Sequence, residues 1–350
     1  MNENEYKKFT VIVPCYNTGD YLDICMQSLI DQTIGIECLE IIVIDDASDD
    51  GITPNKLKEY ESKYPDNIVL IFNESNMGPG GCKNEAIRYA SGEYTVYVDS
   101  DDWIDRYALK RLYDYAKTYD ADVVDFCHTV VSEHDGRENH NNDLDVNPRL
   151  YVIDNEIDRK QFVLPSDSGV VCWDKIYRTK LIKDNNILFA EHISYEEPPF
   201  SYMVRFFADR YLVIRDAYYY YYNRPGSMSD IERYKKNRFN IIDGYLMLYE
   251  ELDCKGLLRK YREEAEFIFW CGAFYLPLFN MAAANGFYTK DEYDYLQKTV
   301  SSKINNICEN RYFNQTFSGL EIIGKITYLQ TDDGTFDDIK QLFLGLTNRG

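Results

Sequence analysis

The first third of the chain alternates short apolar runs with stretches whose apolar residues recur every three or four positions. FTVIVP (9–14) reads as a strand, and Tyr21 to Gln32 follows with Leu22, Cys25, Met26 and Leu29 at helical spacing. EIIVI (40–44) predicts a second strand, Pro54 to Tyr64 a helix, and IVLIF (68–72) a third strand. A helix near Cys82 to Ala90 carries Cys82, Ala86 and Ala90 on one face. YTVYV (94–98) is the fourth strand, Leu109, Leu112, Tyr113 and Ala116 mark a helix, and DVVDFC (122–127) gives another strand. Strands alternating with helices imply βαβ units, hence an α/β fold with a mostly parallel sheet flanked by helices.

The alternation stops at Ser132 to Arg149, a polar stretch rich in Asn and Asp that predicts a long surface loop. Residues 151–230 are mixed, with an aromatic strand-like run at AYYYYYN (217–223), and from Ile231 onward the pattern is mainly helical. Between Phe267 and Thr289 no residue is charged. That stretch is long enough to consider as a membrane span, but Pro277, Asn280, Asn285 and Gly286 interrupt it, which favours a buried helix over a membrane-surface contact.

Composition narrows the partners. Of 350 residues 45% are hydrophobic and 28% charged, as in an ordinary globular protein, and the formal net charge of -21 argues against nucleic acid as a partner. The nine cysteines are scattered singly, without a C-x-x-C, and no apolar leader follows Met1; the expectation is a reducing, cytoplasmic compartment and no disulfide framework.

In an open parallel sheet, ligands bind beyond the carboxyl ends of the strands. Here the first strand runs into Pro14-Cys15-Tyr16-Asn17, the second into Asp45-Asp46-Ala47-Ser48, the third into Asn76 to Gly81, and the fourth into Asp99-Ser100-Asp101-Asp102. These four segments should meet at one sheet edge. The last holds three carboxylates in four residues, either a solvated acidic turn or a site for a hard cation such as Mg²⁺ or Mn²⁺ that also bridges to phosphates. Asp45 and Asp46 can form a capped turn or accept from a base N–H, and Tyr16 offers a face for a base. Gly78-Pro79-Gly80 is no dinucleotide fingerprint, because Lys83 stands where a third glycine belongs and the cluster follows the third strand. Tight turning is its simpler role, with Lys83 a candidate cation for a bound phosphate.

Together VIVPCYN, EIIVIDDASDDG, NMGPGGCKNEAI, ASGEYTVYVDSDDWI, WDKIYRTKLI, YEEPPF and YYYYYNRPGSMS resemble the family 2 inverting glycosyltransferases over roughly residues 9–230. The resemblance implies a GT-A fold with a nucleotide-sugar half (1–105), an acceptor half (106–230) and a C-terminal helical region (231–350). It implies a nucleotide-sugar donor, commonly UDP-linked, and a divalent cation held by D-x-D. Carried onto this sequence, Tyr16 lies against the base, Asp46 binds it, and Asp99 and Asp101 are the acids of D-x-D, Asp101 the direct metal ligand. Pro14, Asn17 and Ser100 frame the same site. Lys83 replaces a more usual Arg near the phosphates and lacks its fork. The family's Glu-Asp pair reads Glu196-Glu197, putting Glu197 at the position of the catalytic base, with Glu196 the alternative. Arg224 and Ser227 match a segment that folds over the diphosphate, while a plain Pro-Gly turn is the other reading. Trp173, Asp174 and Lys175 fall where the acceptor side is lined, or Trp173 simply packs in the core. The expected reaction is sugar transfer in surface-polysaccharide or glycan assembly, on a saccharide or lipid-linked saccharide acceptor. Peripheral contact with the inner face of the cell membrane would be aided by the basic stretch Arg233 to Arg238. The rival is a non-catalytic nucleotide-sugar or glycan-binding module, which would tolerate loss of the paired acids. A nucleotidyltransferase is disfavoured, since PCYNTGDYL is no triphosphate loop.

Overall fold

A computed structural model of the chain describes residues 7–136, 147–164, 169–224, 235–284, 286–317, 321–328 and 333–347. These divide into two compact units, one of residues 1–162 with 166–227 and one of 163–165 with 228–350.

The first unit is built on a nine-stranded sheet. β1 (Phe9–Cys15) lies between β2 (Leu39–Asp45) and β4 (Tyr94–Tyr97), with β3 (Ile68–Phe72) outside β2, and all four run parallel. β1 is an almost unbroken apolar run because both of its faces are covered, whereas the edge strand β3 leaves Val69 and Phe72 exposed. Helices α1 (Leu22–Ile30), α2 (Thr53–Lys63), α3 (Gly78–Tyr89) and α4 (Ala108–Tyr119) separate the strands, close to where periodicity puts them.

Past β4 the sheet becomes mixed. The short β5 (Trp103–Ile104) and the long β6 (Val123–Val131) and β7 (Arg149–Val152) follow in the chain, but the neighbour of β4 is β8 (Lys175–Arg178), antiparallel to it and to β6. β9 (Arg210–Tyr222) then runs parallel to β6 and antiparallel to β5 and β7. Its tyrosines are chiefly structural: Tyr218, Tyr219 and Tyr220 are buried. Two short helices, α5 (Glu156–Phe162) and α6 (Thr179–Asp184), and the longer α7 (Glu197–Phe207) complete the unit.

The second unit is helical. Its apolar stretch forms the helix Leu258–Trp270, a π-helical turn over Cys271–Tyr275 and the helix Leu276–Ala283. The wider turn lets the chain continue through Pro277, which has no N–H to give. This helix has the length and composition of a membrane span, yet two-thirds of its most apolar window (67%) is buried within the protein. Trp270 is fully buried and its indole N–H donates to Thr327 Oγ1 at 2.9 Å.

Candidate functional site

The loops leaving β1 and β2 are fastened to each other. Asp46 N–H donates to the Cys15 carbonyl at 2.8 Å. Asn17, at φ +49°, spends its amide on this joint: its Oδ1 accepts from Asp49 N–H and Asp50 N–H, and its Nδ2 donates to Asp49 Oδ1. Pro14 lies inside β1 opposite Ile44. Tyr16 stands beside them, half exposed at 50%.

Asp46, the acid the resemblance assigns to the base, also serves the fold locally. It is buried and accepts from Asn73 Nδ2, Met77 N–H and Gly78 N–H, each at 2.8 Å. The cause is local: α3 starts at a glycine with φ +76° followed by proline, and Met77 at its N-cap supplies no side-chain acceptor. The first amides of the helix therefore take a carboxylate from the neighbouring loop. Asp45 is the acid with spare capacity, since its buried Oδ1 has no hydrogen-bond partner among the described residues.

β4 delivers the acid turn. Ser100 is buried with its hydroxyl 2.6 Å from that of Thr18, so its side chain secures the turn to the β1 loop. The Tyr219 hydroxyl accepts from Asp99 N–H at 3.1 Å and donates to Asp102 Oδ2 at 2.7 Å, while Asp102 Oδ1 accepts from Tyr222 N–H at 2.7 Å. Asp102 thus ties the end of β9 to the turn. Burial, then Asp99 and Asp101, push its carboxyl well above the usual carboxylate range. Asp99 is pushed up to about 6, by burial above all; Lys83 opposes this, and Asp101 and Glu196 add to it. Asp101 faces Arg224, whose Nε is 2.7 Å from Oδ2. Ser227 lies outside the described residues.

The third component is the segment 189–197, which α3 grips. Gly80 is there because the Ala190 carbonyl oxygen occupies the place of a side chain: a Cβ at position 80 would lie 1.9 Å from it. Asn84 Oδ1 accepts from Phe189 N–H, and Nδ2 donates to the Phe189 carbonyl and to Glu191 Oε1. Lys83 is buried and its ammonium donates to Glu196 Oε1 at 2.8 Å and to Cys172 Sγ at 3.4 Å. Burial alone would lower its pKa, but Cys172, Glu196, Asp99 and Glu197 around it hold it well above the usual lysine value. Lys83 is therefore the counter-charge of the acid cluster, with its ammonium already committed to Glu196.

Glu196 is buried in that ion pair, whereas Glu197, first residue of α7, is only half-buried and accepts from Cys172 N–H through Oε1 at 2.9 Å. Burial pushes the Glu197 carboxyl up to about 7. Lys83 and the Cys172 N–H pull the other way, and Glu196 and Asp99 reinforce the rise. Next in the chain, Trp173 stacks on Tyr219 and Tyr221 and is 8% exposed, while Lys175 is buried between Asp174 and Asp125.

Among the described residues no three His, Cys, Asp or Glu side chains converge as a metal cage. Mg²⁺ and Mn²⁺ need less, one or two carboxylates with waters and phosphate oxygens completing the shell. Asp99 and Asp101, two residues apart on the β4 turn, would supply such a pair, and the cation already drawn to Asp101 is Arg224. The donor set fits a divalent ion.

Sequence assigns no role to Asn84 or Cys172, and gives Asp102 and Tyr219 only as members of the acid run and of the tyrosine run. Asp102 stands in the acid run and Asn84 three residues after the last of the glycines, but nothing local signals that a tyrosine more than a hundred residues away completes the turn.

Residues 10–185, just over half the chain, match the profile of Glycosyl transferase family 2. The chain is 31% identical over 216 residues to the poly(ribitol-phosphate) beta-glucosyltransferase of Bacillus spizizenii, covering 61% of this chain and 32% of that one. It is 27% identical over 274 residues to the cholesterol galactosyltransferase of Borreliella burgdorferi, covering 73% and 72%. The chain thus spans about a third of the length of the first relative. Among solved structures, residues 1–349 of Staphylococcus aureus TarS in complex with UDP-GlcNAc share the fold, with a TM-score of 0.64, 24% identity, and coverage of 92% and 89%. The strand-end acids, the grip of α3 on the segment before α7 and these matches lead to one assignment: the chain belongs to glycosyl transferase family 2.

Proposed function

We propose that this chain is an inverting glycosyltransferase that moves a sugar from a UDP-linked donor to an acceptor hydroxyl during assembly of a bacterial cell-wall or surface glycopolymer. The observation that carries the reading is the meeting, around Lys83, of Asp99 from the β4 turn with Glu196 and Glu197 from the start of α7. In this reading Tyr16 gives the base a face to lie on, and the open Oδ1 of Asp45 accepts from a base N–H. Glu197 is the general base. Its carboxylate accepts from the Cys172 N–H while the Lys83 ion pair goes to Glu196, and a pKa near the working pH suits a group that must be ionised before turnover and take a proton during it. Glu196, held in its ion pair with Lys83, orients the start of α7.

The acceptor hydroxyl gives its proton to Glu197 as its oxygen forms a bond to the anomeric carbon. The bond from that carbon to the diphosphate oxygen breaks on the opposite face, and UDP departs with the electron pair. A divalent cation held by Asp101 and Asp99 would offset the charge on the departing diphosphate. Relatives named for poly(ribitol phosphate) support a polyol-phosphate or glycan acceptor. Nine free thiols suit a reducing cytoplasm, and an acceptor displayed at the inner membrane face is compatible with that location. The basic stretch proposed for docking is partly engaged, Arg238 pairing with Glu292.

The test is UDP release from a panel of UDP-sugars with Mn²⁺, with EDTA, and in Asp101→Asn. Release from one donor, lost in EDTA and in the variant, is the expected result; undiminished release in both refutes metal assistance. If Glu196→Gln abolishes transfer while Glu197→Gln does not, the base is the other acid.

A further inference from the structure

Arg224 comes two residues after β9 and is parked at the acid turn by two contacts. Its Nε is 2.7 Å from Asp101 Oδ2, and its guanidinium carbon is 5.6 Å from the centre of the Tyr21 ring. Tyr21 is packed edge-on against His134 and tilted against Tyr222. His134 in turn donates through Nε2 to the Asp101 carbonyl at 3.0 Å, which fixes its tautomer because a carbonyl only accepts. The parking place is therefore assembled from several elements of the first unit.

The contact is nevertheless one of charge without alignment. Arg224 Nε is buried and has no hydrogen bond of good geometry among the described residues, although the carboxylate is close. A guanidinium finds its strongest partners when it can fork onto two oxygens, as it can on a diphosphate, and here it meets Asp101 through an unaligned Nε. The same carboxylate is the one read above as the direct metal ligand, and this inference rests on that reading.

We propose that Arg224 is the resident counter-cation of Asp101 and competes with the divalent ion for it, so that metal loading and release of Arg224 are a single exchange. Once released, the guanidinium lies beside the diphosphate and takes its oxygens. Nucleotide thereby gives Arg224 another partner and frees Asp101, so nucleotide and metal each tighten the binding of the other through this side chain. The device keeps the acid turn neutralised when the donor is absent.

The experiment measures Mn²⁺ binding directly, from the loss of the free Mn²⁺ electron paramagnetic resonance signal, on the full chain with and without saturating UDP. Wild type is compared with Arg224→Ala, Arg224→Gln and Asp101→Asn, and Mn²⁺ held by UDP in solution is subtracted. Without UDP, both Arg224 variants should bind Mn²⁺ about two- to fivefold more tightly than wild type, the value of removing a partly exposed competing charge. UDP should tighten Mn²⁺ binding in wild type more than in either variant. Equal or weaker Mn²⁺ binding by both variants without UDP, with binding abolished in Asp101→Asn, overturns the exchange and leaves Asp101 as a ligand. Unaltered Mn²⁺ binding in Asp101→Asn removes the metal reading and the exchange with it.

Discussion

Replacing Gly80 by alanine tests how tightly α3 fixes the segment that leads into α7. The added Cβ would lie 1.9 Å from the Ala190 carbonyl oxygen and 3.1 Å from Glu196 Cβ. Ordinary contact begins near 3.4 Å, so backbone must move by about 1.5 Å to make room. The obstacle is main chain, which cannot rotate away as a side chain could. Overpacking of this kind costs about 3 kcal/mol at the upper end of its usual range, and alanine's better helix propensity returns about 1 kcal/mol. The net loss is about 2 kcal/mol, a fall in melting temperature of roughly 4–8 °C for a unit of this size. Function should suffer more than stability. Glu196 and Glu197 follow the displaced carbonyl within seven residues, and a displacement of about 1 Å at a reacting group can cost on the order of a hundredfold in rate. UDP affinity should stay near wild type, because Tyr16 and Asp45 leave other strands. Calorimetry, UDP titration and initial rates of UDP release read the three quantities. A variant that melts at or above the wild-type temperature with a rate within threefold refutes the claim that this close approach positions the acids.

Glu197→Gln should lower transfer at least a hundredfold with UDP binding preserved, and remove an acid limb of kcat/KM centred near pH 7, where wild type loses the ionised base. The same shift has a stability sign. With the folded pKa raised, the native state binds more protons than the unfolded chain between the ordinary glutamate range and about 7, so this group's contribution to stability declines as pH rises through that window. The glutamine variant should therefore melt above wild type at pH 8 and near it at pH 4, and an equal gap at both pH values counts against the shift. Asn84→Ala strands the Phe189 N–H and carbonyl and should lose about 2–3 kcal/mol in urea unfolding; a loss under about 0.5 kcal/mol would show that water replaces the clamp. Asp102→Asn can still accept from Tyr222 N–H and present its amide to the Tyr219 hydroxyl, so it should unfold close to wild type, whereas Asp102→Ala should lose about 2 kcal/mol; equal melting of the two variants argues against the tie.

The parallel half of the sheet was legible because its signal is local. Each apolar run from Phe9 to Val98 is short, bounded by turn residues and followed by a helical period, and the strand-end rule then put the acids on one edge. The remainder depends on pairings that leave no local trace. Lys175–Arg178 is only four residues long, and nothing in KIYR says that it enters between β4 and β6. At the site, sequence offers residue types but not their partners. Asp46, read as a base-binding acid, also caps an otherwise uncapped helix start, and Lys83, read as a phosphate ligand, also lies among three acids from two other segments. Such added partners arise where a group that can bind substrate is also the nearest answer to an unsatisfied backbone or charge.

The insertion of β8 beside β4 has a consequence for how the protein is made. As the chain leaves the ribosome, β4 is complete by residue 97, yet the strand that covers its open side ends only at Arg178, and the one beyond it is sealed by β9, ending at Tyr222. During that interval the parallel half presents a row of unpaired backbone groups, a template for pairing with another chain. Synthesis of these later residues is therefore the vulnerable period. A stalled or truncated product ending between residues 98 and 174 should aggregate, while one extending past Tyr222 should remain dispersed.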